Sequence, residues 1–418
     1  MSPRRSDELL PTSSPAGARS RETWLLAALL AALAMLGPFS IDMYLPAFTA
    51  IGTTFAASSI AVQQTLSTYL FAFAFMMLWH GAMSDAFGRR PIVLASLAIY
   101  ALASLGCAIA GNIESLWLFR GLQGLSAGAG LVLGRAIIRD RYAGAPAQRL
   151  MSQITLIFGI APALAPVIGG AVLNLLGWRA IFWLITLFTL GVLTWAARSL
   201  PETLPPASRQ PLHPRVLWNS YRAVLLRRDF LLLAAIPTLN FAAYFIYIAS
   251  APAFLARLGV TTWGFAWLFV PMITGIVAGA AISGRSAGRL SPARTIGIGY
   301  GFMFFGGIVN ALVAAFVPPG VPWHVLPLMV FTLGSSLLMP SLTLILLDLF
   351  PAMRGMASSL QGFAQFAFSG FNAGTIAPLL ADSLITLAAG MLGFTCASYA
   401  LWRVYHRSAM RAQGGASR

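Results

Sequence analysis

The sequence predicts an all-α membrane protein with twelve transmembrane helices in two six-helix halves and both termini in the cytoplasm. Three observations carry that expectation. The first is composition: of 418 residues, 58% are hydrophobic and only 9% charged, with a mean hydropathy of +0.79, whereas a soluble chain carries about a quarter charged residues. The second is the length of the uncharged runs over residues 43–84, 230–256 and 355–381, since a helix of about 20 apolar residues crosses a bilayer. The third is the sorting of the arginines along the chain.

The elements follow in order. Residues 1–23 are polar and hold Arg4, Arg5, Arg19 and Arg21, so they read as a cytoplasmic tail. The apolar run after them is too long for a cleaved signal peptide and reads as an uncleaved first span. Uncharged length, Gly/Pro breaks and flanking arginines place spans near 24–47, 60–82, 91–111, 115–137, 150–173 and 179–198. A parallel set falls near 230–255, 262–284, 294–316, 323–347, 355–378 and 383–402. The halves are thus 24–198 and 230–402, joined by a proline- and arginine-rich cytoplasmic linker, 199–229, and followed by a cytoplasmic tail, 403–418. With the N-terminus inside, only Arg179 and Arg257 fall in outer loops and Arg120 within a span, while the other arginines lie inside. Basic residues stay on the cytoplasmic side during insertion, so this asymmetry sets the orientation.

The formal charge of +16 comes entirely from arginines, because the chain has no lysine. In a soluble protein that excess would suggest nucleic acid; here topology accounts for it, and no nucleic-acid partner is expected. Cys107 and Cys396 both sit in apolar runs, which indicates neither a disulfide framework nor a metal site. No cofactor is expected. There is no phosphate-binding G-x-x-x-x-G-K-[ST] loop and no lysine to complete one, so a transporter built on this chain must use an ion gradient or run downhill.

Two charges lie where hydrocarbon is expected. Asp42, in "FSIDMYLPAF", is the only carboxylate of span 1, and Arg120, in "ESLWLFRGLQG", lies within span 4. Ionisable groups at such depth face a cavity or a partner charge and carry function. At 1.5 Å per residue, Asp42 lies ~27 Å from the inner end of its span and Arg120 ~22 Å from the inner end of a ~30 Å core. Similar depth within one half makes them a candidate proton-coupling pair. Pro38 and Pro46 flank Asp42 and loosen the helix around it. In span 4, Gly121, Gly124, Gly128 and Gly134 allow close packing.

Between spans 2 and 3 stands "GAMSDAFGRRP", in which Gly81 and Gly88 permit a tight turn and Asp85, the turn's only carboxylate, accompanies Arg89 and Arg90. The second half repeats it in decayed form as "GRSAGRLSPAR", with Arg285 in the place of Asp85. Span 5 reads "FGIAPALAPVIGGAV", where Pro162 and Pro166 kink or loosen the helix and Gly169 and Gly170 follow them. Helical spacing puts Asn240, Tyr244 and Tyr247 on one face of span 7, and Gln361 and Gln365 on one face of span 11. With Gln123, and with Met35, Phe39 and Met43 around Asp42, these are the candidate substrate-cavity residues. His80, at the inner end of span 2, reads as a membrane-surface histidine.

These phrases together resemble the major facilitator superfamily: its G-x-x-x-D-x-x-G-R-R/K loop, its R-x-x-x-G segment at Arg120 and Gly124, and the span 5 element of its drug/proton antiporters. Ala161 and Ala165 stand where that element has glycines. The narrowest resemblance, across nearly the whole chain, is to the bicyclomycin-resistance (Bcr/CflA) branch, through "SIDMYLPAF", "TLSTYLFAFAF", "GRAIIRDRYAG", "YIASAPAF" and "DLFPAMRGMASSLQGFAQF". That resemblance implies the major facilitator fold and a monomer in the bacterial inner membrane, surrounded by lipid. It implies exchange of protons for small amphipathic drugs, with 81–90 as gating turn. The same fold also suits an exporter of a native metabolite such as a sugar or amino acid. A receptor or an enzyme is disfavoured, for want of an appended soluble domain and of further charged residues inside the spans.

Overall fold

The computed structural model describes residues 16–142, 144–260, 264–286, 288–351 and 353–416, with the backbone alone for 16–23, 144–149, 152–160, 163 and 409–416. Most of the expected N-terminal tail lies outside the described residues. Among these residues the chain is helical, without strands.

Helix α1 (Ala16–Asp42) stops at the carboxylate singled out above. The cause is Pro46: it has no N–H to give the carbonyl of Asp42, four residues back, and its ring collides with that group. The chain continues through a 3₁₀ turn at Leu45–Ala47 into α2 (Phe48–Phe55). Helix α3 (Ser59–Met77) starts at Ser58, whose Oγ accepts the amide of Ala61 at 3.2 Å. After α4 (His80–Phe87) and Gly88 comes α5 (Arg89–Ala108). Helix α6 (Ile113–Arg141) opens on a reciprocal cap between Asn112 and Ser115, which satisfies two otherwise orphaned amides. Helices α7 (Gly144–Leu176) and α8 (Trp178–Ser199) complete the first half.

Within the linker lies α9 (Pro214–Leu225), which buries Tyr221 and Val224. The second half runs through α10 (Arg228–Ala249), α11 (Ala251–Arg257), α12 (Phe265–Ser286), α13 (Pro292–Phe316) and α14 (Leu326–Asp348). It ends with α15 (Arg354–Phe371), a π-helical turn at Asn372–Ile376, α16 (Ala377–Leu380) and α17 (Leu384–Ala416). Ten described segments are long and apolar enough to cross a membrane. Helices α7 and α15–α16 stand at the fifth and eleventh expected spans. Large apolar side chains such as Leu102, Leu118, Leu187 and Phe305 are exposed on the outer faces, where lipid tails cover them. The protein is a multi-pass membrane protein.

Within the first half α6 packs on both α3 and α5, α5 on α8, and α1 on α7; in the second, α14 packs on α12 and α13, and α10 on α17. The halves are joined chiefly where α3 packs on α15 and the π-helical turn that follows it, and where α7 packs on α12. Small residues set the closest approaches, but they are not all the glycines that spacing suggested. A Cβ on Gly124 would stand 2.2 Å from the Tyr69 carbonyl and one on Gly130 2.3 Å from the Leu33 carbonyl, while one on Gly134 would meet nothing within 4 Å. Sequence spacing cannot tell these cases apart.

Gly124→Val should therefore push α6 off α3. Overpacking of a filled interface costs about 1–3 kcal/mol, so the purified variant should unfold at a lower temperature than the wild type. Gly134→Val should unfold near the wild-type temperature. Equal midpoints for both variants would contradict the packing described.

Candidate functional site

Arg120 is fully buried, and its guanidinium lies between two tyrosine rings, 4.6 Å from the centroid of Tyr44 and 4.5 Å from that of Tyr69. Tyr44 arrives there because α1 breaks just before it, and its hydroxyl is held at 2.5 Å from Thr65 Oγ1 on α3. Arg120 Nη1 donates to Gln123 Oε1 (2.7 Å), and Gln123 Nε2 donates to Ser104 Oγ on α5 (2.7 Å). Nearby, the hydroxyls of Ser40 and Tyr100 share a hydrogen bond. Arg120 Nε and Nη2 have no partner among the described residues.

Asp42 is buried on the same half, at 5% exposure. It forms no ion pair with Arg120. Tyr69 lies within electrostatic reach of both charges, and its hydroxyl, beside Ser40, makes no well-formed hydrogen bond. Stacking on a tyrosine face contributes up to about 2 kcal/mol to a desolvated cation, while burying an unpaired ion costs several kcal/mol. Two rings and one amide thus hold the guanidinium in place yet leave the N–H bonds of Nε and Nη2 free for a further acceptor.

The span 5 element is built around the break in α1. Met43 is buried with its carbonyl against α7, and a Cβ on Gly169 would stand 2.1 Å from that oxygen. Pro166 and Gly170 are buried and Pro162 half-buried in the same helix. Of the other cavity candidates, Met35 and Phe39 are half-buried, Phe39 with its ring 5.6 Å from that of Phe188 on α8.

The second-half candidates divide. Tyr247 is buried and accepts a hydrogen bond from Asn310 Nδ2 on α13 at 2.5 Å, so its polar end points into the bundle. Asn240 is fully buried with neither amide atom paired among the described residues. Tyr244 packs edge-on against Phe241 at 5.0 Å, and Phe241 in turn approaches Phe366 of α15. Gln361 is buried and Gln365 half-buried on α15. His80 is 1% exposed with Nδ1 unpartnered; it is not the surface histidine that its position suggested, because α6 covers it at Gly128.

At the arginine-rich end, Arg89 Nη1 meets Asp85 Oδ1 at 2.5 Å and Ser84 Oγ at 2.6 Å, and Arg89 Nε meets Asp140 Oδ2 at 3.0 Å. Gly88 has φ +102°, a left-handed region that favours glycine, and a Cβ there would lie 2.4 Å from Glu202 Oε2. Glu202 accepts the amides of Arg89 at 3.0 Å and Arg90 at 3.3 Å, at the amino end of α5, where a carboxylate is favoured. Thr203 Oγ1 donates to Asp140 at 3.0 Å, and Arg90 Nη2 to the Ala197 carbonyl at 2.8 Å. Asp85 is therefore not the turn's only carboxylate, and Arg90 does not pair with it. Asp140 and Glu202 stand far away in sequence, in the "GRAIIRDRYAG" phrase and in the linker, and only folding brings them to Arg89. Gly81 lies half-buried beside α6.

The halves meet where Gln64 Nε2 donates to the Gly374 carbonyl (2.8 Å) and Ser67 Oγ to that of Gly370 (2.6 Å). The rings of Phe73 and Phe366 meet at 4.6 Å, tilted by 52°, and Met77 abuts Gly362. A cleft of about 510 Å³ opens between α2–α3 and α11 at one end, and one of about 440 Å³ between α4, α6, α9 and α15 at the arginine-rich end.

The sequence profile described as the Major Facilitator Superfamily matches residues 30–373. The chain belongs to that superfamily of transporters. It is 28% identical over 372 residues to a bicyclomycin resistance protein homolog of Haemophilus influenzae, covering 87% of this chain and 92% of that one. It is 27% identical over 386 residues to a chloramphenicol resistance protein of Pseudomonas aeruginosa (88% and 90%) and 27% over 362 residues to multidrug resistance protein D of Escherichia coli (84% and 88%). The fold resembles a D-xylose–proton symporter (TM-score 0.71, 15% identity, 91% of this chain and 97% of that one). It also resembles an inward-facing bacterial homolog of the lysosomal transporter Spinster (TM-score 0.71, 17% identity, 96% and 99%).

The network ranks its members. Arg89 has a side chain only 9% exposed, against 46% for Asp85. Removing one partner of a buried pair costs about 3–5 kcal/mol, whereas an exposed ion pair contributes about 0–1 kcal/mol. Arg89→Gln should therefore lower the unfolding temperature and the transport rate more than Asp85→Asn, which leaves Arg89 bound to Asp140. A larger defect for Asp85→Asn, at equal membrane levels, would contradict this ranking.

Proposed function

We propose that this transporter exports small amphipathic drugs across the bacterial inner membrane in exchange for protons, by alternating access between its halves. The observation that carries the reading is Asp42: a buried carboxylate at the break in α1, without an ion-pair partner among the described residues and two residues before Tyr44 of the Tyr44–Arg120–Tyr69 stack. Its protonation depends on which side it is open to, because solvent favours the charged form and the apolar interior the neutral one. Arg120, held in the stack, positions positive charge and the free N–H bonds of Nε and Nη2 near the proton site. Substrate or Asp42 can use these groups in turn. The names of the relatives, resistance proteins for bicyclomycin, chloramphenicol and several drugs, support a drug as cargo. The arginine-rich end, with α9 and the Arg89 network, is the cytoplasmic side in this reading, consistent with the positive-inside rule.

In cells lacking their own exporters, efflux should stop when a protonophore collapses the gradient and persist under ATP depletion while the gradient is clamped. Asp42→Asn is nearly isosteric and removes titration. At wild-type membrane levels it should still bind a neutral substrate, but efflux should no longer respond to an imposed pH gradient. Gradient-driven efflux by that variant would move the proton carrier elsewhere.

A further inference from the structure

The cleft at the end opposite the arginine-rich one is lined, among the described residues, by uncharged side chains alone. Phe48 and Val62 of the first half and Pro252 of the second give it apolar walls, and Thr49 and Thr53 line it from α2. Two arginines of this end are turned elsewhere. Arg257 Nε donates to the Ala381 carbonyl at 3.0 Å. Arg179 Nη2 donates to the Ala110 carbonyl at 2.9 Å, with its guanidinium over the Trp178 ring at 4.3 Å.

Gln63 of α3 lies in that lining and is only 7% exposed, yet its amide has no hydrogen-bond partner among the described residues. Its neighbour Gln64 is paired across the halves, to the Gly374 carbonyl. Thr53 Oγ1 donates within its own helix, to the Thr49 carbonyl at 3.0 Å. Buried polar side chains are normally satisfied, so an amide left open toward a cleft points to an occupant. The cleft also adjoins the arginine stack: the Phe48 ring meets that of Tyr44 edge-on at 5.0 Å, and Tyr44 covers Arg120.

We propose that this cleft is a binding site for small uncharged amphipathic molecules, separate from the Asp42–Arg120 region, in which the Gln63 amide orients the occupant. The proposal rests on the export reading above, in which cargo leaves at this end. A glutamine amide both donates and accepts, so it matches an amide, carbonyl or hydroxyl group. An ion entering between apolar walls gives up hydration and meets no counter-charge. A neutral amphipath gains instead from removing its apolar surface from water. The volume of about 510 Å³ falls in the range of roughly 300–1,000 Å³ that holds drug-sized ligands. Gln63 is thus a specificity-determining residue, and the cleft discriminates by charge independently of Asp42.

The test places a thiol in the lining, Thr53→Cys, in full-length protein carrying Cys396→Ala; the remaining Cys107 is buried. Labelling by a membrane-impermeant maleimide is timed in discs of neutral lipid, without any ion gradient. Chloramphenicol, an uncharged amphipath, should slow the labelling saturably, and the permanent cation tetraphenylphosphonium should not. A thiol at the exposed Gly111, outside the lining, should label at the same rate with and without either compound. Gln63→Leu should raise the half-protecting chloramphenicol concentration about fivefold, as expected for one lost hydrogen bond. Gln63→Glu, a second variant at the same position, should bring protection by tetraphenylphosphonium. The proposal is overturned if chloramphenicol gives no saturable protection, if the cation protects the parent equally well, or if both Gln63 variants behave as the parent does. Protection without proton-driven efflux would keep the site and remove the export reading; efflux without protection would do the reverse.

Discussion

A guanidinium with none of its surface open to solvent is the constraint around which the first half is arranged. Arg120 needs a face of Tyr44 on one side and of Tyr69 on the other. Tyr44 can supply its face only because Pro46 ends α1 at Asp42 and turns the chain. Tyr69 can supply the other only because Gly124 lets α6 lie against the backbone of α3. Gln123 then carries the tie from Arg120 to Ser104 on α5. Helix break, glycine contact and polar chain are thus consequences of placing one charge in an apolar bundle, and the same break leaves Asp42 at the end of α1, where we propose the proton site.

The polar contacts within the first half differ in kind from those between the halves. The Arg89 network joins α4, α5, α6 and the segment after α8 through charged partners, all on the first-half side. The halves themselves are joined along α3 and α15 by hydroxyl and amide bonds to carbonyls and by aromatic and methionine contacts. A neutral hydrogen bond contributes about 0.5–1.5 kcal/mol net, and one to a charged group about 1.5–3. Such a division allows the halves to move as bodies, breaking weak bonds between them and keeping strong ones within.

An offset of 200 residues relates the two halves in detail. Gly88 and Gly288 both have positive φ, +102° and +78°. Tyr100 donates to the Leu36 carbonyl, and around Tyr300 the corresponding carbonyl, Ile236, is taken by Ser398. The chemistry has not been kept in both copies. Ala242 stands in the place of Asp42, and Arg285 in the place of Asp85. Backbone turns and helix contacts are common to the halves, while the titratable site belongs to the first alone.

The helical membrane spans, the loosening of the helix near Pro46 and the glycine turn at 88 were legible in the sequence because each depends on residues near one another in the chain. Asp42 and Arg120 were legible for the same reason: a charge stands out against a long apolar run. What faces what was decided only by the tertiary structure. The sequence could not show that Arg89 takes Asp140 as well as Asp85, that Glu202 caps α5, that Arg120 stacks on tyrosines without pairing to Asp42, or that Tyr247 turns inward to Asn310. In water, the apolar stripe of a helix marks the side that packs. In a bilayer, the lipid-facing side is apolar too, so periodicity loses its contrast, and the partner of each buried polar group is set by helix rotation and depth, which the linear pattern does not encode.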